Sequence, residues 1–175
     1  FNHSKYTDES NFILGDITKE EVKQQIIDSC KGHKVDVIVG GPPCQGFSLS
    51  NTRTRNMKNA NNFLFLEFVR FVQELKPTWF VLENVWGLTN MEEGITKNMI
   101  EDCFRALGYE VNSKVLWASD YGVPQNRNRF FMVGNRHGIK FEFPEPFEKK
   151  VTGEGAIGDL PDLENGEMLE KGNYK

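Results

Sequence analysis

The chain has 175 residues, 38% hydrophobic, 12% aromatic and 26% charged, a balance that suits one folded domain and excludes a disordered tail. Its net charge of −4 means that bulk positive charge is not how it would hold a polyanion. No apolar run approaches the roughly 18 residues of a membrane span, and residues 1–15 lack the layout of a signal peptide, so a cytoplasmic reading is simpler than export or membrane insertion.

The charge is unevenly spread. Residues 51–62 carry Arg53, Arg55 and Lys58 and no acid, whereas residues 142–175 carry nine Asp or Glu against four Lys. A nucleic acid, if bound, should meet the middle of the chain and avoid its tail. Cysteines at 30, 44 and 103 form an odd set without C-x-x-C, which argues against a disulfide framework and a zinc site and for a reducing compartment; no metal is expected. With Phe1 in place of Met, the chain reads as a segment of a longer protein.

Phe12-Ile13-Leu14 before Gly15-Asp16 reads as a short strand stopped by a turn, and Thr18 with Glu21 as a capping box opening a helix. Val22, Ile26, Ile27 and Cys30 recur at helical spacing until Gly32. Val35–Val39 is an apolar β-branched run, expected as a strand buried on both faces, and Gly40-Gly41-Pro42-Pro43-Cys44 ends it. Leu64 to Leu75 forms an apolar helix that must stop before Pro77. Trp79–Leu82 reads as a second buried strand terminating at Glu83-Asn84, and Met99, Ile100, Cys103, Phe104 and Leu107 as a helix closed by Gly108. Tyr109–Trp117 and Phe130–Val133 read as further strands. Alternating strands and helices with short connections predict an α/β sheet with helices on both faces and its ligands at the carboxyl ends of the strands. Residues 1–147 make the core of this layout, and the acidic residues 148–175 depart from it.

Functional side chains collect where such a fold puts its site. Cys30 and Cys103, on apolar helix faces, read as inert core residues. Cys44 lies in a glycine- and proline-locked loop followed by polar Gln45 and Ser48, where backbone N–H groups or arginines can draw a thiol toward thiolate at neutral pH. Glu83, after Phe80-Val81-Leu82, reads as a partly buried carboxyl that desolvation would help to hold a proton for a ring nitrogen; a plain solvated strand end is the alternative. If the segment is extended, Arg127 and Arg129 point to one face as a pair of forks for an anion or carbonyl; a solvated edge is the alternative.

Gly40-Gly-Pro-Pro-Cys44-Gln-Gly-Phe-Ser48, Leu82-Glu83-Asn84-Val85 and Tyr121-Gly-Val-Pro-Gln125-Asn-Arg127-Asn-Arg129 closely resemble, in order and spacing, the central motifs of DNA cytosine-5 methyltransferases. The resemblance runs from Gly15-Asp16-Ile17 to Ala156–Pro161. It implies a Rossmann-like S-adenosylmethionine-dependent methyltransferase fold, incomplete at both ends: the glycine-rich turn and the acidic ribose-binding residue would precede Phe1, and a target-recognition region would follow residues 148–175. Such a central fragment would bind cofactor poorly by itself and not methylate.

The resemblance also implies roles. Cys44 matches the nucleophile that adds to carbon 6 of cytosine and turns the ring into an enamine able to accept a methyl group at carbon 5. Glu83 matches the acid that engages ring nitrogen 3 and the exocyclic amine. Arg129 matches the residue on the cytosine carbonyl, with Arg127 in electrostatic support. Asp16, Ile17, Gly41, Pro43 and Leu64 match cofactor contacts, S-adenosyl-L-homocysteine being the product. Residues 46–62 match a loop that closes over DNA, with Ser48, Ser50 and Arg53 at the DNA and Gln45, Asn84 and Gln125 also on the substrate side. The partner implied is duplex DNA with a flipped cytosine, met by a monomer, with a restriction endonuclease as a second partner of the bacterial system. A relative acting on transfer RNA, an amino-methyltransferase (whose loop ends in an aromatic where Cys44 stands) and a noncatalytic nucleic-acid-binding relative are the rival readings.

Overall fold

A computed structural model describes residues 12–42 and 63–160 of the chain. Of these, the described residues up to 116 with 128–144 form one compact unit, and residues 117–127 with 145–160 form a second.

In the first unit, helix α1 spans Glu20–Ser29, strand β1 Val37–Gly40, helix α2 Phe63–Leu75, strand β2 Trp79–Asn84, a 3-10 helix Trp86–Gly94, helix α3 Ile95–Ala106, strand β3 Glu110–Trp117 and strand β4 Asn128–Asn135. The sheet runs β1-β2-β4-β3, so β4 inserts between β2 and β3. β1 lies parallel to β2, with Gly40 opposite Leu82; β4 lies antiparallel to β2, with Leu82 opposite Met132 and Asn84 opposite Phe130.

Alternation divides β2 cleanly. Phe80 and Leu82 are fully buried and join Phe65, Phe68 and Val72 of α2, Ile100 and Phe104 of α3, and Phe130 and Met132 of β4 in one core. Phe80 stands 4.2 Å from Phe104 between ring centroids and 5.2 Å from Tyr109, and it lies across Gly134, its partner in the register. A Cβ at Gly134 would overlap that ring. Gly134→Ala is therefore expected to cost the full-length protein about 1–3 kcal/mol, read as a lower urea midpoint, because the ring can move only by disturbing Phe104 and Tyr109. An unchanged midpoint would show that the aromatic layer is looser than these contacts make it.

Most elements fall where the sequence puts them, with both helix-closing glycines at positive φ (Gly32 at 79°, Gly108 at 87°). The differences have physical causes. Phe12-Ile13-Leu14 is not a strand; it pairs with nothing among the described residues, and Phe12 and Leu14 are exposed. No Thr18–Glu21 box caps α1: Lys19 is the N-cap residue without a side-chain bond, and the Asp16 carboxylate takes the polar hydrogens instead, from Thr18 N–H at 2.9 Å and Thr18 Oγ at 2.8 Å. β1 is not buried on both faces, since Val37 and Val39 are 51% and 72% exposed on the face away from Ile38. Cys103 is exposed beside the buried stripe of Thr96, Ile100 and Phe104, so it is no core residue, whereas Cys30 is half-buried. α2 and α3 pack on one face of the sheet.

The second unit is built on a closed loop. Ala118 N–H donates to the Arg127 carbonyl at 2.8 Å, and a 3-10 turn over Ala118–Tyr121 opens it. Phe147 docks there, its N–H donating to the Asp120 carbonyl at 2.7 Å and its ring lying 6.3 Å from Tyr121. Lys150 pairs with Asp120 at 2.7 Å, and a short helix α4, Gly153–Ile157, follows with Thr152 as its cap.

Candidate active site and cofactor cleft

The antiparallel register brings Glu83 and Arg129 together. Glu83 lies opposite Phe131, so it shares a face with Phe131 and, two residues on, with Arg129, while Asn84 turns to the helix-covered face with Phe130. Arg129 Nε meets Glu83 Oε1 at 2.7 Å, with the two side chains 25% and 39% exposed. Arg129 Nη1 also donates to the Asn128 carbonyl at 2.8 Å. The guanidinium is thus held at two of its nitrogens, and the carboxylate is fixed by a charge-assisted contact at the carboxyl end of β2.

Gly41 completes the pocket around this carboxylate. A Cβ built there would come within 3.0 Å of Glu83 Oε2, a closeness only glycine grants without displacing the side chain. Asn84 is buried and acts on the same loop: its Nδ2 donates to the Pro42 carbonyl at 3.1 Å, and its Oδ1 accepts from Val85 N–H at 2.8 Å. The start of the Pro-Pro-Cys44 segment is tied in this way to the strand that carries Glu83. Asn84→Ala in the full-length protein is expected to slow methylation about tenfold by loosening the loop, with a stability loss of about 1–3 kcal/mol for the unpaired Pro42 carbonyl. Initial rates and urea melting check both, and an unaltered rate would mean that the tether does not matter to the chemistry.

A cavity of about 530 Å³ opens beside this site, walled by Ile17, Gly41, Pro42, Leu64, Glu67 and Phe68 among others. Three of the expected cofactor residues, Ile17, Gly41 and Leu64, therefore meet on one cleft. Asp16 is exposed next to Ile17, and its hydrogen bonds from the Thr18 backbone and hydroxyl hold its carboxyl below the usual carboxylate range. Both bonds fall on Oδ1. An apolar cleft for a flat base, an ionised acid at its edge for an amine, and a glycine wall without a side chain fit an adenosyl cofactor.

Not every expected residue is placed. Pro43, Cys44, Gln45, Ser48, Ser50, Arg53, Arg55 and Lys58 lie outside the described residues. Arg127 is exposed and precedes β4; its N–H donates to the Gln125 carbonyl at 2.9 Å in a turn of the second unit. Gln125 is exposed in the same turn. Sequence reading missed the tether from Asn84 to Pro42 and the 3-10 helix Trp86–Gly94 with its fully buried Leu88, although the apolar Val85-Trp86-Gly87-Leu88 run was a signal for buried structure there.

A family model for C-5 cytosine-specific DNA methylase matches residues 2–175. The chain is 46% identical over 136 residues to the type II methyltransferase M1.HphI of Haemophilus parahaemolyticus, covering 77% of this chain and 37% of that protein. It is 42% identical over 154 residues to the type II methyltransferase M.XorII of Xanthomonas oryzae pv. oryzae, covering 86% and 35%. A crystal structure described as a prophage-encoded DNA modification methyltransferase of E. coli superposes with a TM-score of 0.65 at 29% identity, covering 86% of this chain and 42% of that one. The sheet and its helices thus define a Rossmann-like fold of the S-adenosylmethionine-dependent methyltransferase class. The chain belongs to the C-5 cytosine-specific DNA methylase family. It spans little more than a third of the length of the two relatives named.

Proposed function

We propose that the protein, in its full-length form, is a DNA (cytosine-5)-methyltransferase acting on a cytosine flipped out of duplex DNA. The observation that carries this is the 2.7 Å pair of Glu83 and Arg129 at the end of β2, beside the tethered start of the Pro-Pro-Cys44 loop. Carbon 5 of cytosine is a weak nucleophile. Addition of the Cys44 thiolate to carbon 6, with Glu83 in its protonated form giving its proton to ring nitrogen 3, places an electron pair at carbon 5, and after methyl transfer loss of the carbon 5 proton to a base expels the thiolate. Arg129 orients Glu83 through Nε and has further donors in its five-donor fork for the cytosine carbonyl, with Arg127 adding positive potential. Asp16, Ile17, Gly41, Pro43 and Leu64 would hold S-adenosylmethionine, which when bound supplies an electrophilic methyl group. Gln45, Ser48, Ser50, Arg53 and Gln125 would meet the DNA, and Asn84 acts through the loop.

The DNA reading is favoured over transfer RNA by the family description, and a bacterial restriction-modification setting by the type II relatives. That setting carries with it a cytoplasmic monomer and a partner endonuclease; no helix among the described residues is long and apolar enough to cross a membrane. Residues 148–175 would lead toward a target-recognition region. Methylation-sensitive sequencing of DNA from cells expressing the complete gene tests the reading, alongside tritium transfer from labelled cofactor to duplex DNA and to tRNA by the purified protein. The expected result is 5-methylcytosine within one short recognition site and label in duplex only. Label in tRNA alone, or in neither, would overturn it.

A further inference from the structure

We infer that Lys23 and Glu67 form a positioning pair that sets the width of the cofactor cleft by fixing α1 against α2, an inference that rests on the methyltransferase reading above. Lys23 sits in the first turn of α1, where a lysine would ordinarily reach into water. Its side chain is instead 5% exposed, with Nζ donating to Glu67 Oε1 at 2.9 Å and lying 2.8 Å from Glu67 Oε2. The Glu67 side chain is 18% exposed, and Oε2 is buried with no aligned hydrogen bond, so Lys23 is the charge that compensates it. Burying both ions costs desolvation that two apolar side chains would avoid, and what the ions add is direction: one relative placement of the two helices.

That placement bears on the cleft. Ile17 lies three residues before α1 and Leu64 is the second residue of α2, so the two cofactor walls hang from the two helix starts that the pair joins. Glu67 itself lines the same cavity. A second ion pair between the helices, Arg70 with Glu20 at 2.7 Å and 3.0 Å, lies further out, with side chains 38% and 64% exposed. Water screens it, and it adds little constraint. Because Glu20 also lies 3.6 Å from Lys23 Nζ, substitution at Arg70 and not at Glu20 is the internal control.

The test uses the full-length protein and four variants. Lys23→Met removes the cation, Glu67→Gln keeps shape and an acceptor for Nζ while removing the anion, Lys23→Arg keeps the charge, and Arg70→Met breaks the outer pair together with the exposed Arg70–Glu74 contact inside α2. For Lys23→Met and Glu67→Gln, calorimetric affinity for S-adenosylhomocysteine is expected to fall about tenfold and KM for S-adenosylmethionine to rise in step, while kcat at saturating cofactor and Kd for duplex DNA change by less than about threefold. Lys23→Arg should recover most of the cofactor affinity, and Arg70→Met should match wild type. A lower melting temperature with unchanged cofactor affinity and KM would overturn the inference, as would equal losses in Arg70→Met. Should Lys23→Met not fold, Lys23→Gln takes its place, since Glu67 lines the cleft and Lys23 does not appear in its lining. Wild-type protein that binds no S-adenosylhomocysteine would remove the cofactor reading itself, a failure distinguishable from that of the pair because it precedes any substitution.

Discussion

Cys44→Ser is expected to lower the methylation rate of the full-length protein at least about a thousandfold, with duplex affinity held within about threefold. Sulfur and oxygen differ here in acidity before anything else. A thiol with a reference pKa of about 8.5 supplies some thiolate at neutral pH, and backbone N–H groups or nearby arginines raise that share, whereas a serine hydroxyl in the same loop has no base assigned to take its proton. The loop is anchored where it leaves β1, through Asn84 Nδ2 on the Pro42 carbonyl at 3.1 Å, so the exchange of one atom should leave the anchor intact. Single-turnover methylation and a filter-binding titration of the same preparations check the two halves. A serine variant within tenfold of wild type would remove covalent catalysis from the account.

Glu83→Gln is expected to cost about 10²–10³-fold in methylation rate and far less in DNA affinity. Glutamine preserves the shape and an acceptor for Arg129 Nε, so the 2.7 Å contact can persist in weakened, neutral form. What it cannot do is move a proton to ring nitrogen 3. Thiolate addition would then place electrons on a ring that has no acid to receive them, and the barrier rises at that step. Rate and affinity measured together decide it, and a loss confined to binding would recast Glu83 as a DNA-positioning group.

Much of this arrangement is legible in the chain itself. The order of strands and helices follows from apolar periodicity and from Gly32, Pro77 and Gly108, which act locally and leave the backbone little choice. Glu83 and Arg129 stand out through the motifs around them, but their meeting does not: it depends on β4 entering the sheet next to β2 with Glu83 opposite Phe131, a long-range register that no local pattern encodes. Arg127 shows the converse. Its i, i+2 spacing from Arg129 suggests a shared face, yet β4 begins only at Asn128 and the Arg127 N–H bonds locally to the Gln125 carbonyl. Val37 and Val39 read as buried because valine runs usually are, and their exposure depends on what covers that face. Lys23 is hidden from sequence reading for a similar reason: on a helix of mixed charge it looks like a solvated residue until Glu67, 44 positions away, is placed beside it.

The covalent step is where the account stands most exposed, and one experiment addresses it. Full-length protein incubated with cofactor and a duplex bearing 5-fluorocytosine at the target position should yield a protein–DNA species stable to denaturing gel electrophoresis, because fluorine at carbon 5 blocks the proton loss that would release the enzyme. Peptide mass spectrometry should locate the attachment on Cys44. A duplex methylated at the ordinary cytosine by a protein that forms no such adduct, or forms it through another residue, would contradict the account.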